Sequence, residues 1–220
     1  MLLIGGGTVA ASLQPRSFNP VADTVSVLAG LGATDRWVMT LVILAVGVCD
    51  IVTGVALRPA ASAGRLTLIA GASAGMVVMA YPMPTLGPAG TPHAIWASLG
   101  LAGLMAWPAL AWQPGPSAPW GLRRPVCLCA AGVMLVLLVW FVAEVMTGAG
   151  QAGLAERAVG AAQAVWPLAV VLSCRYWRGP AALARLGGTT PGMPATAALA
   201  DETFGDTVTG PGPHTAAFTR

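Results

Sequence analysis

A chain of 220 residues that is 56% apolar and 9% charged, with a mean hydropathy of +0.74, is too apolar for a water-soluble fold and reads as an integral membrane protein. Its 11 basic residues are all Arg and exceed the acids by a net charge of only +3; no basic stripe is interleaved with aromatics, so nucleic acid is not an expected partner. Arg without Lys in an Ala- and Gly-rich chain is the coding bias of a high-GC genome, and suggests a bacterial source.

A helix that crosses a hydrocarbon core of about 30 Å needs roughly 20 apolar residues, because each adds about 1.5 Å. The first apolar segment, Met1 to Leu13, reaches only about 20 Å at that rise. It is broken by three glycines and lacks the basic start of a secretory signal, so a short or truncated first membrane helix is expected. Next comes SFNPVADTVSVLAGLG. Asn19 suits an N-cap, Pro20 a first helical turn and Gly30 a helix end. Val21, Val25 and Leu28 share one side while Asp23 and Ser26 do not, which predicts a short helix lying on the outer interface.

Five full-length stretches follow: Trp37 to Leu57, Leu66 to Met83, His93 to Trp112, Val126 to Thr147 and Gly153 to Cys174. The expected fold is therefore all-α, a polytopic membrane bundle of about six transmembrane helices over residues 1–175. From Tyr176 onward Gly, Pro, Thr and Ala prevail without an apolar period, which predicts a mostly disordered cytoplasmic tail over 176–220.

Arginine-rich short loops stay in the cytoplasm. Arg58 with Arg65, Arg123 with Arg124, and Arg175 with Arg178 and Arg185 fall on alternate connections, hence on one face. On the other face Arg16 and Arg36 are offset by Asp23 and Asp35, the Tyr81 to Pro92 link is uncharged, and Glu156 adjoins Arg157. A multi-pass bundle in the cell (inner or plasma) membrane with both termini in the cytoplasm is thus expected. Trp37, Trp96, Trp112, Trp140 and Trp177 lie near predicted helix ends, where indole rings prefer the headgroup region.

Small residues let membrane helices approach. Gly71 and Gly75, then Ala97, Gly100 and Gly103, then Gly160, Ala161 and Ala164 predict close helix contacts, first within a monomeric bundle and second on a homodimer or other membrane-protein face. Trp107–Pro108 and Trp166–Pro167 are matching steps at which a proline frees a backbone carbonyl.

Charges at membrane depth are the default functional suspects. Asp50 lies about 20 Å below the outer end of its helix. It is either a proton or cation site of a transporter, or an acid hydrogen-bonded to a neighbouring helix, and no second acid or His is expected beside it. Asp23, His93, Glu144, Glu156 and Arg157 gather at the outer face. They form either a polar outer pocket or a network that locks helix ends, with Glu144 and Arg157 near enough in depth to pair across their hairpin. Cys49, Cys127, Cys129 and Cys174 fall in apolar stretches without Cys-x-x-Cys spacing, and neither His93 nor the distant His214 anchors a haem or zinc site. Walker, nucleophile-elbow and dinucleotide motifs are absent, so no metal and no cofactor are expected.

The order FNPVADTVSVLAG, a YPMP helix end, TPHAIWA opening the next helix and GLAER opening the last resembles the bacterial membrane proteins grouped as domain of unknown function, family 998, over about residues 17 to 177. The resemblance implies a six-helix membrane protein of uncharacterised activity, with Asn19, Pro20, Asp23, Pro82, His93 and Arg157 as family-like positions. The short first helix and the Thr- and Gly-rich tail depart from it. The leading expectation is a non-enzymatic accessory or lipid-headgroup-binding protein, with membrane lipids as partners. Alternatives are a proton- or cation-coupled carrier using Asp50, and a lipid-modifying enzyme with His93 and Glu144 as acid and base.

Overall fold

A computed structural model describes residues 2–15, 18–85 and 87–177. Every regular element among them is helical: α1 (Leu2–Ser12), α2 (Val25–Leu28), α3 (Arg36–Ala56), α4 (Ser62–Val77), α5 (Thr91–Ala111), α6 (Arg124–Thr147) and α7 (Ala152–Tyr176). Short 3-10 turns at Val78–Ala80 and Trp120–Leu122 complete the set. The predicted tail from residue 178 on lies outside the described residues, as do Arg16, Arg178, Arg185 and His214.

Five helices are long and apolar enough to cross a membrane: α3, α4 with its extension to Ala80, α5, α6 and α7. At 11 residues, α1 is apolar but reaches only about 16 Å. Large aliphatic side chains point outward, with Val136 at 69% and Leu66 at 65% exposure, while glycines, alanines and methionines fill much of the interior. That distribution is the inverse of a water-soluble domain and suits helices bathed in lipid, where close backbone approach replaces the hydrophobic drive. The protein is a polytopic helical membrane bundle.

Chain neighbours are spatial neighbours from α3 through α7, and α1 sits between α3 and α7, closing a ring. Glycine sets the tightest contact in it. A Cβ on Gly103 would meet the Gly71 Cα at 2.7 Å, and one on Gly100 would meet the Gly75 nitrogen at 3.0 Å. The glycines of α4 therefore pack on those of α5 within one chain. On α3, Gly54 faces Ile69 and the Arg65 carbonyl, so α3 is drawn onto α4 in the same way. Arg65 then reaches across, its Nε donating to Gly54 O and its Nη2 to Val55 O, each at 2.8 Å. These are last-turn carbonyls of α3, which lack helical donors and sit at the negative end of the helix dipole.

Two predicted boundaries shift. The helix expected over Leu66 to Met83 starts at Ser62 and ends at Ala80. Tyr81 precedes Pro82, whose ring disfavours helical backbone in the residue before it. The interfacial helix expected from Asn19 to Gly30 is reduced to the single turn α2. Its backbone groups are engaged elsewhere, as follows.

Candidate functional site

Asn19 caps a turn and not a helix. Its Oδ1 accepts from the Val21 N–H at 3.0 Å, its own N–H donates to Asp23 Oδ2 at 2.7 Å, and its carbonyl accepts from the Asp23 N–H at 2.7 Å. In a continuing helix the carbonyls of residues 20–23 would accept from N–H groups four positions on. Here they turn to α7. Val21 O accepts from Leu154 N–H at 2.9 Å and Ala22 O from Gly153 N–H at 3.2 Å. Both donors belong to the first turn of α7, where no helical acceptor exists.

Arg157 completes the clasp. Its Nη1 lies 2.6 Å from Pro20 O, 3.0 Å from Asp23 O and 2.8 Å from Gly153 O, and its guanidinium stands 6.0 Å from the Phe18 ring centroid. Glu156 works in the opposite sense. Its Oε1 accepts from the Ser26 hydroxyl at 3.0 Å, and its Oε2 accepts from the Val25 N–H. A carboxylate at the first turn of α2 meets N–H groups that have no helical acceptor, in the manner of an N-cap. Adjacent residues on α7 thus serve the acceptors and the donors of one docked segment. Gly153 is required beneath it, since a side chain there would collide with the Asp23 carbonyl.

The five residues expected at this face do not share one pocket. Asp23, Glu156 and Arg157 come together, Asp23 through its backbone. Glu144 accepts from Trp140 Nε1 at 3.2 Å and from the Gln151 N–H at 2.9 Å, so it holds the α6–α7 hairpin; Arg157, its expected partner, binds carbonyls instead. His93 is buried at 7% exposure and its Nδ1 lies 2.7 Å from the Tyr81 carbonyl, tying the start of α5 to the end of α4. Because a carbonyl can only accept, Nδ1 carries the proton. Pro82, by ending α4, releases that carbonyl. Asp50 is half-buried on α3 and makes no hydrogen bond among the described residues. Every other described acid, and His93, lies near the opposite end of the bundle. Among the described residues no three His, Cys, Asp or Glu side chains gather as metal ligands.

Beneath the clasp the sequence pattern concealed a crevice of about 390 Å³. Pro20, Val25 and Ser26 roof it, Glu156 and Arg157 form its polar rim, and the body is mostly apolar, with Ile43 of α3 and Leu101 of α5 in its lining. Exposed Ile4 and Thr8 line it on α1, so it opens along the seam between α1 and α7. Gln163 lines it two turns of α7 beyond Glu156.

Residues 1–173, which include the clasp from Asn19 to the first turns of α7, match a family model described as Protein of unknown function (DUF998). The chain belongs to the DUF998 family. The match takes in α1 to α6 and most of α7, so every element that builds the clasp and the crevice of this DUF998 protein is family sequence. Neither curated proteins nor solved structures contain a match to it.

Proposed function

We propose that this DUF998 protein is a non-enzymatic accessory protein of a bacterial cell membrane, both termini cytoplasmic, that holds one membrane lipid in the crevice between α1 and α7. The observation that carries this reading is the shape of the site: Glu156 and Arg157 at the rim of a mostly apolar slot lined chiefly by two helices of the bundle, α1 and α7. With the arginine-rich loops inside, the rim lies at outer-leaflet headgroup level. Adjacent Glu156 and Arg157 suit a head group that bears both charges. Glu156 has lone pairs beyond the two it uses, and the hydrogen bonds of Arg157 among the described residues all come from Nη1, leaving Nε and Nη2 for a phosphate.

The test is lipid analysis by mass spectrometry of purified protein beside Gly7→Trp. Gly7 lines the crevice and a Cβ there meets nothing within 4 Å, so the indole would occupy the slot without displacing backbone. A phospholipid retained near one per chain and lost at least about fivefold in Gly7→Trp is the expected result, with Gly132→Trp, equally open on α6, as the control. Retention that ignores the Gly7 substitution would overturn the reading.

Asp50 supports a second reading, a small proton- or cation-coupled transporter, because a half-buried acid without a hydrogen bond among the described residues is costly within a span. Loss of pH-driven flux in vesicles on Asp50→Asn, at unchanged stability, would favour it.

A further inference from the structure

Gln163 is the least explained polar residue of α7. It lines the crevice, and its amide Nε2 is buried without a hydrogen bond. Pro167 stands four positions on inside the same helix, and a proline has no N–H to give, so the Gln163 carbonyl also loses its helical donor. The indole Nε1 of Trp166, between the two, is buried and unbonded as well. Within about one turn, two buried side-chain donors lie unmatched beside a carbonyl that has lost its i+4 helical donor. A buried donor left unmet costs about 1–3 kcal/mol, and folded proteins rarely carry several together.

Position relates this feature to the rim. Seven residues separate Gln163 from Glu156, which places both on nearly the same stripe of α7 about 10 Å apart along the axis. A helical side chain leans toward the helix N-terminus, here toward the rim, which shortens the gap. In a glycerolipid the acyl ester carbonyls come next below the charged head on the tail side. They are acceptors only, and Nε2 is a donor only.

We propose that Gln163 donates through Nε2 to an acyl carbonyl of the bound lipid, so that the crevice selects ester-linked over ether-linked lipid. This rests on the lipid-binding reading above, which accounts for the rim but sets no preference below it. A plain hydrocarbon tail passing Gln163 would leave the amide unmatched. An ether oxygen in place of the carbonyl is a much poorer acceptor in the wrong position.

The experiment uses the full chain in detergent and two probes, dioleoyl phosphatidylethanolamine and its dialkyl ether analogue, which share head and chain length. Relative affinity is read by native mass spectrometry under direct competition. The wild-type protein should prefer the ester by about tenfold, and Gln163→Leu, close in volume but without a donor, should bring the ratio to within about twofold while ether-lipid affinity is kept. Equal affinity of the wild-type protein for the two probes overturns the proposal and leaves the crevice reading intact. A Gln163→Leu protein that keeps the ester preference also overturns it, because the carbonyl is then read elsewhere. Binding of both probes that is untouched by Gly7→Trp removes the crevice reading and this inference together. If Gln163→Leu fails to fold, Gln163→Met removes the same donor, and the wild-type ratio decides in any case.

Discussion

Arg157 and Pro20, 137 positions apart in the chain, are joined by a hydrogen bond of 2.6 Å from Nη1 to the carbonyl. The same nitrogen reaches Asp23 O and Gly153 O, so one cation gathers the carbonyls of a docked segment and of the helix beneath it. Arg157→Met should cost about 2–3 kcal/mol, the range for hydrogen bonds to a charged group when the acceptors are left unmet. Arg157→Lys should recover only part, since its compact ammonium on a shorter side chain loses the flat guanidinium that stands over the Phe18 ring. Thermal unfolding in detergent reads the loss. Limited proteolysis should show new cleavage between Phe18 and Ser26, and unchanged protection there would mean that Arg157 does not hold the segment.

Glu156 gives a sharper contrast, because both of its oxygens accept. Glu156→Gln keeps one acceptor but turns an amide donor toward either the Val25 N–H or the Ser26 hydroxyl. The expected cost is about 1–2 kcal/mol, with Glu156→Ala costing more because it strands the Val25 N–H as well. Ser26→Ala, which removes the weaker partner alone, should cost under about 1 kcal/mol. A reversed order, with Ser26→Ala the most damaging, would show that the carboxylate is not the cap of α2.

The glycines of α4 separate in the same test. A Cβ on Gly71 would stand 2.8 Å from the Leu104 nitrogen, whereas one on Gly75 meets nothing within 4 Å. Gly71→Ala and Gly103→Ala push backbone against backbone and should destabilise by about 1–3 kcal/mol. Gly75→Ala gains helix propensity, about 1 kcal/mol, at no steric cost. Unfolding midpoints should therefore fall for the first two and hold or rise for the third.

How much of this was legible in the residues depends on the range of the signal. The spans were, because apolar length is local: α3 and α6 lie within a residue or two of the expected Trp37 to Leu57 and Val126 to Thr147. The contact between Gly71 and Gly103 was legible as small-residue spacing, though not which helix met which. The gathering of acidic and basic residues at one end was visible in the sequence, whereas their partners were not. Arg157 binds carbonyls, and no side-chain pattern marks a carbonyl. The segment from Asn19 to Gly30 has the capping residues of a helix and is instead divided, because α7 competes for its backbone; that competition spans 130 positions and more. Gln163 drew no notice because an isolated glutamine in an apolar run acquires meaning only beside Pro167 and an open slot.

His93 tests the division between binding and bracing. Its proton on Nδ1 goes to Tyr81 O at 2.7 Å, its ring is buried, and it lines neither the rim nor the body of the crevice. His93→Ala opens a cavity and strands a carbonyl, so about 1–3 kcal/mol of stability should be lost. His93→Asn, whose amide can donate at a similar reach, should recover about half. Phospholipid retained per folded chain should stay at the wild-type level in both, because Glu156, Arg157 and Gln163 are untouched. A His93→Ala protein that keeps its unfolding midpoint but loses its lipid would place His93 in the binding site and return the acid-base reading with Glu144 to consideration.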